Sequence, residues 1–315
     1  MIAVAGTLVA DILAHPVARL PTPGGLERVA HIALHSGGVV ANTGVALSRL
    51  GVSVAAVVRL GRDALGRHLS DEIKVWATAH FLSFDQSVPT SSTLVFVGQD
   101  GERSFLLSSG AGERFSTRDL PLDRLSAAGV RALHLGYLNL LSQMDTAELI
   151  ALLLEARERG FLVSLDVTWD PATDWDRVRA VLPHIDLFCP NLREASAITR
   201  TRGSEAAACA LLELGVRQAV AVTLGADGCV LATPHLGLRK CAGLEVQVQD
   251  TTGAGDAFVA GMLAGWYRGL DWEVCARVAG AVASLSVTKL GVSEGVIGWD
   301  DTWNWLEGAA YRNRL

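Results

Sequence analysis

The stretch that decides the fold is Asp250-Thr251-Thr252-Gly253-Ala254-Gly255-Asp256, which runs straight into the apolar segment Ala257–Leu263. The pattern predicts a strand ending near Val248, a turn of small residues, and a helix beginning around Ala254. A helix N-terminus presents backbone N–H groups that lack intrahelical partners and carries a partial positive charge, so it can hold an anion or a developing phosphate charge. Glycines at 253 and 255 let a ligand approach the backbone closely. Asp256 falls in the first turn, aimed at the same space, where a carboxylate can accept a proton from a hydroxyl group. Helix capping by Asp250 and Asp256 is the plainer reading. A cap accounts for one acid and leaves the other unexplained.

The rest of the chain sets the context for that turn. Its 315 residues are half hydrophobic and 19% charged, which excludes a disordered or fibrous chain. A net charge of −6, with only three lysines (Lys74, Lys240, Lys289) and no basic cluster, argues against a nucleic-acid partner. The five cysteines (Cys189, Cys209, Cys229, Cys241, Cys275) are widely spaced and show no CxxC pair, so they read as reduced, buried thiols. The N-terminal run MIAVAGTLVADILAH lacks a basic start and is interrupted by Asp11, unlike a signal peptide. No apolar run reaches the roughly 20 residues that span a bilayer. These features predict a cytoplasmic protein with no membrane partner.

Short β-branched runs alternate with longer segments of helical period. Strands are predicted at Ile2–Ala5, Val54–Val58, Arg131–Leu135, Phe161–Asp166, Ile185–Cys189, Ala219–Leu224 and Cys229–Ala232. All are apolar almost throughout, as parallel strands buried on both faces are. Helices are predicted at Val39–Leu50, Asp63–Thr78, Asp145–Arg159, Leu192–Thr199, Ser204–Leu214, Ala254–Arg268 and Asp271–Lys289. This alternation predicts a doubly wound α/β fold: a mostly parallel sheet with helices on both faces, binding ligands beyond the carboxyl ends of its strands. Val17–His35 and Ser92–Leu107 break the rhythm with polar alternation. They read either as a small antiparallel β-sheet laid over one edge like a lid or as two irregular insertions, with segments at about 13–35 and 91–108 inserted into a single domain spanning 1–315.

Several chemistries are excluded by inspection. There is no GxxxxGK[ST] loop, no dinucleotide fingerprint after the first strand and no GxSxG elbow. His31 and His35 lack an HExxH glutamate, which argues against a metal role. A second positive signal is Ser36-Gly37-Gly38-Val39-Val40-Ala41-Asn42, where paired glycines precede a helix and Asn42 adds an amide suited to hydroxyl groups.

Taken together, these motifs resemble the ribokinase family, also called the PfkB carbohydrate kinases. Gly37-Gly38, Asn42, Gly51 and Gly61 match the spacing of its N-terminal signature, which Arg62-Asp63-Ala64-Leu65-Gly66 continues. Asp250–Asp256 matches its DTxGAGD signature, Asn191-Leu192-Arg193-Glu194 its NxxE motif, and Thr223–Gly228 its TxGxxG turn. The four motifs stand in the family's order, and the resemblance covers essentially the whole chain.

The resemblance implies an ATP-dependent, Mg²⁺-requiring kinase acting on a primary hydroxyl of a small sugar or sugar acid. Asp256 corresponds to the family's catalytic base, and Gly253, Ala254 and Gly255 with it to the anion hole. Asn191 and Glu194 correspond to residues that organise Mg²⁺ through its waters, although a plain helix cap with its capping-box glutamate fits the same residues. Thr223, Gly225 and Gly228 correspond to the nucleotide site, and Asp11, Gly37, Gly38 and Asn42 to the sugar site. Arg103 lies on the predicted lid, either reaching the substrate or remaining a surface charge. Asp250 corresponds to a region where relatives hold a monovalent cation such as K⁺, and the lid to a surface through which relatives pair as homodimers. The chain departs from the family's pattern in two places. Val39-Val40 stands within the GGKGAN segment typical of ribokinase, and Tyr137 stands where ribokinase has a glutamate after its middle strand. The alternatives are a nucleoside kinase, with aromatic residues near the lid (Phe81, Phe84, Phe96, Phe105) stacking a purine, and a sugar-binding regulator without catalysis.

Overall fold

The computed structural model describes residues 1–98, 102–291 and 293–312. Among the described residues thirteen strands form two sheets. In chain order they are β1 (Ile2–Gly6), β2 (Val9–His15), β3 (His31–Gly37), β4 (Val54–Gly61), β5 (Ala79–Asp85), β6 (Ser92–Val97), β7 (Arg103–Ser108), β8 (Ala132–Leu135), β9 (Leu162–Leu165), β10 (Leu187–Phe188), β11 (Ala219–Thr223), β12 (Cys229–Thr233) and β13 (Gly237–Cys241).

Nine of them make the large sheet, in the order β13-β12-β11-β10-β9-β8-β1-β4-β5. Successive strand residues point to opposite faces, and each face buries its own core. Ile2, Val4, Val54 and Ala56 face the helices Gly38–Arg49, Ala254–Tyr267 and Trp272–Ser286. Ala3, Ala5, Ala55 and Val57 share the other core with Leu149 and Leu153 of the helix Thr146–Glu158 and Ala207 and Leu211 of the helix Ser204–Glu213. The continuous apolar runs follow from this double burial.

All seven predicted strands form, within a few residues of their expected ends. Cys229–Thr233, however, is antiparallel to β11, as β13 is to β12. Only the short turn Leu224–Gly228 separates β11 from β12, too little chain for the crossover a parallel partner needs. Strand β5 was not expected; it is the sheet's edge, and its half-exposed alternation masks the pattern.

The second sheet has the order β3-β2-β6-β7. It grows from the large sheet at two points, β2 and β3 following β1 and β6 and β7 following β5. Of the predicted segment Val17–His35, only the end from His31 is strand, and residues 17–30 have no regular structure. The strand that completes this layer is β2, which reads in sequence as a continuation of the N-terminal apolar run. Phe81 and Phe84 belong to β5 of the large sheet, while Phe96 and Phe105 lie on the smaller one.

Strand β1 has β4 on one side and β8 on the other. The chain therefore winds both ways from β1, and the crevice beyond its carboxyl end is where such sheets bind ligands. Among the described residues no helix is long and apolar enough to cross a membrane. The five cysteines are unpaired.

Candidate active site

Asp256 lies in the first turn of the helix Ala254–Tyr267, nearly fully buried. Gly253, at a left-handed φ of 73° that favours glycine, ends the preceding turn and supplies no side-chain cap. The first-turn amides are thus left for a ligand, apart from a long turn bond from Ala254 N–H to the Thr251 carbonyl at 3.3 Å. A Cβ at Gly255 would meet nothing within 4 Å, so the turn opens onto free space.

Three side chains converge on the Asp256 carboxylate. Asn42 Nδ2 donates to Oδ2 at 2.9 Å, Tyr137 Oη donates to Oδ2 at 2.8 Å, and Thr43 Oγ1 donates to Oδ1 at 3.3 Å. Burial pushes the Asp256 pKa up to about 6, and the three hydrogen bonds work against that rise. The Tyr137 phenol is driven well above its ordinary value, first by burial and then by the Asp256 charge, so it is protonated and donates.

Asn42 and Thr43 stand here because Gly37 and Gly38 start the helix Gly38–Arg49 under β1. A Cβ at Gly37 would lie 2.0 Å from Asp11 Oδ2, and one at Gly38 would lie 2.7 Å from the Thr7 carbonyl. The two glycines thus let the Asp11 carboxylate and the end of β1 close on the helix start. Two buried polar atoms beside this junction, Thr7 Oγ1 and Asn42 Oδ1, find no hydrogen-bond partner among the described residues. Buried polar atoms are rarely left unsatisfied, and a hydroxylated ligand satisfies both kinds.

A second group of predicted residues gathers beyond β10 and β11. Asn191 and Glu194 form a reciprocal capping box, Asn191 N–H to Glu194 Oε2 and Glu194 N–H to Asn191 Oδ1, each at 2.9 Å. Asn191 also bridges in parallel to Thr223, which joins this cap to the turn Thr223–Gly228. Gly228 packs against the Cys241 carbonyl, and Gly225 faces open space.

The capping role does not exhaust Glu194. It is buried, and burial is the main cause that lifts its pKa to about 7, the Asp256 charge adding to it. Asp166, just beyond the end of β9, is a third buried acid, raised well above the ordinary range by burial and then by Asp256 and Glu194. Sequence reading missed Asp166 and Thr43. The available signal for Asp166 was a carboxylate closing a predicted strand at its carboxyl end.

Asp250 accepts Thr252 N–H and Gly291 N–H, both at 3.0 Å, and so ties the turn before the helix to the segment after Trp272–Ser286. Arg103 opens β7 opposite Val97, but its side chain lies outside the described residues. Among the described residues no hydrogen bond links the Asn191–Thr223 group to Asp256. The Asp256 charge, acting on the buried Glu194, connects them instead.

The family model described as pfkB family carbohydrate kinase matches residues 1–297. The chain belongs to this family. A ribokinase of Mus musculus is 30% identical over 305 residues, covering 92% of this chain and 90% of that one. Fructokinase-2 of Solanum lycopersicum is 28% identical over 236 residues, covering 72% and 71%. Among solved structures, the ribokinase of Arabidopsis thaliana complexed with ribose and ATP superposes with a TM-score of 0.81 at 25% identity, over 97% of this chain and 98% of the other. The fold is accordingly ribokinase-like, and the chain is an ATP-dependent phosphotransferase with an alcohol group as acceptor, a carbohydrate kinase of the pfkB family.

Proposed function

We propose that this pfkB-family kinase transfers the γ-phosphate of ATP to a primary hydroxyl of a small sugar or sugar acid, with Asp256 as general base. The observation that carries the reading is a buried carboxylate, its pKa lifted to about 6, in the first turn of a helix that has no side-chain cap and has open space beside Gly255. The acceptor oxygen attacks the γ-phosphorus, its proton passes to Asp256, and the bond from that phosphorus to the β-bridging oxygen breaks to release ADP. The amides of Gly253, Ala254, Gly255 and Asp256 face the charge that develops on the transferred group, which is where positioned dipoles lower the barrier most. The depth of Asp256 favours a primary hydroxyl, the least hindered oxygen of a polyol.

Asp11, Gly37, Gly38 and Asn42 would bind the sugar, with Thr7 Oγ1 and Asn42 Oδ1 supplying the two unsatisfied polar atoms. Arg103 is a further candidate contact from the smaller sheet, which as a lid would exclude water from the transfer. Thr223, Gly225 and Gly228 would line the nucleotide. Mg²⁺ fits the charge of the site: the Asp256 carboxylate raises the proton affinity of the buried Glu194 and Asp166, and Glu194 that of Asp166, an excess of negative charge that a hard cation relieves. Among the described residues no three ligating side chains are close enough to hold a metal directly, so Asn191 and Glu194 would act through its waters. Bound there, the ion would neutralise phosphate charge. For Asp250, a neighbouring K⁺ site predicts a rate that falls when K⁺ is replaced by tetramethylammonium.

The test is ADP release from Mg-ATP across a panel of sugars, sugar acids and nucleosides, with Asp256→Asn as control. Release with a sugar or sugar acid, reduced by about 10²–10⁴-fold in the variant, supports the proposal. A response to nucleosides alone would overturn the sugar pocket. Equal turnover by variant and wild type would remove Asp256 from the mechanism, and sugar binding without turnover would favour a regulator.

A further inference from the structure

Tyr137 occupies an unfavourable backbone state and spends its hydroxyl on the acid of the active site. Its φ of 54° and ψ of 43° lie in the left-handed region, which a bulky residue adopts only when its surroundings impose it. The surroundings do so here. Gly136 N–H bonds to the Ala5 carbonyl at 2.9 Å, Leu138 N–H to the Asp166 carbonyl at 3.1 Å, and a Cβ at Gly136 would strike Val39. The loop after β8 is therefore clamped between the ends of β1 and β9, and the clamp aims the phenol at Asp256 Oδ2.

The two oxygens of Asp256 are not equivalent. Oδ2 accepts two short hydrogen bonds, from Tyr137 at 2.8 Å and Asn42 at 2.9 Å, whereas Oδ1 accepts only the longer one from Thr43 at 3.3 Å. The charged groups facing Asp256 are Asp166, from the end of β9, and Glu194, from the helix Leu192–Thr199; both are acids. Asn42 and Thr43 of the helix Gly38–Arg49 and Tyr137 contribute neutral donors only.

We propose that Tyr137 is a positioning residue for the base: with Asn42 it fixes the Asp256 carboxylate through Oδ2 and holds it in the ionised form that can take a proton. The assignment rests on the reading of Asp256 as general base. A donor hydrogen-bonded to a carboxylate favours the ionised form over the protonated one. Removing the phenolic hydroxyl should therefore raise the proton affinity of Asp256, whereas a role confined to filling space should leave it unchanged.

The experiment is a carboxyl ¹³C NMR titration of the ligand-free chain labelled at aspartate, in wild type and Tyr137→Phe. Asp256→Asn assigns the signal, and the other aspartate resonances report that the fold is kept. The expected result is an Asp256 midpoint about one pH unit higher in Tyr137→Phe, a tenfold gain in proton affinity. An unmoved or lowered midpoint in a folded variant overturns the inference. If the phenylalanine variant loses its native dispersion, 3-fluorotyrosine incorporation provides the second arm: its more acidic phenol is a stronger donor and should lower the midpoint, and no change there also overturns it. These readouts need no acceptor substrate. A positive titration together with full turnover in Asp256→Asn would leave the hydrogen bond standing and remove the base reading instead.

Discussion

The three buried acids have raised proton affinities that single substitutions can probe. As the proposed base, Asp256 has to be ionised to take a proton, and its pKa of about 6 would place the midpoint of the acid limb. Turnover is expected to fall about tenfold per pH unit below that value, as a rate profile from pH 5 to 8 would show. Stability moves in the opposite direction. The folded pKa of Glu194, about 7, exceeds its unfolded value of roughly 4.3. The folded state thus binds this proton more tightly, and the associated stability is complete below the unfolded value and lost as pH rises through 7. Glu194→Gln keeps an oxygen for the Asn191 cap while removing the charge. Measured without divalent ions, this variant should be more stable than wild type at pH 8, by at most about 3.5 kcal/mol, and nearly equal to it at pH 4. A variant less stable than wild type at pH 8 would mean that the carboxylate is satisfied in a way its buried position does not suggest.

At the scale of elements, the helix Ala254–Tyr267 separates stability from activity at one position. Gly255 has open space where its Cβ would be, so alanine there meets no clash and gains helix propensity worth roughly 0.5–1 kcal/mol. The same methyl would intrude on the space facing the first-turn amides. Gly255→Ala should therefore melt at or above the wild-type temperature while losing at least about 100-fold in ADP release, the usual cost of disabling one anion-stabilising donor. A variant that melts lower, or one that turns over normally, would contradict that division. The helix itself was legible because its turn residues, first-turn acid and apolar run agree. Asn191 was legible as a cap for the same reason, since an amide and Glu194 stand three apart. Strand β5 was not, because an edge strand carries neither a continuous apolar run nor clean alternation. The contacts that shape Asp256 were only half legible. Asn42 and Tyr137 reach it across 214 and 119 positions of sequence, and only the folded sheet brings them together. In the sequence Tyr137 is visible merely as a departure from a family pattern.

At the scale of the molecule, one face of the smaller sheet carries two apolar rows that lie open. Register places Leu34, Ile12, Leu94 and Leu106 side by side across β3, β2, β6 and β7, with Ile32, Ala14 and Phe96 in the next row of that face. Asp11 and Thr93 alternate onto the other face, which Asp11 brings to Gly37 near the carboxyl end of β1. The apolar rows remain open: Ile32 is 66% exposed and Leu106 61%. Exposed apolar patches of this kind mark contact surfaces. This one carries no charged residue in either row, so a copy of the same face complements it, as a two-fold dimer requires. The homodimer that the family resemblance implies through the lid accordingly predicts that Leu34→Glu combined with Leu106→Glu will give the mass of a single chain by analytical ultracentrifugation, where wild type gives two. Because both substitutions lie on the face opposite Asp11, Asp256 and its partners should be untouched and the melting temperature of the large sheet nearly unchanged. If wild type already sediments as one chain at micromolar concentration, the apolar rows do not serve a second copy. If the double variant remains dimeric, pairing uses another surface.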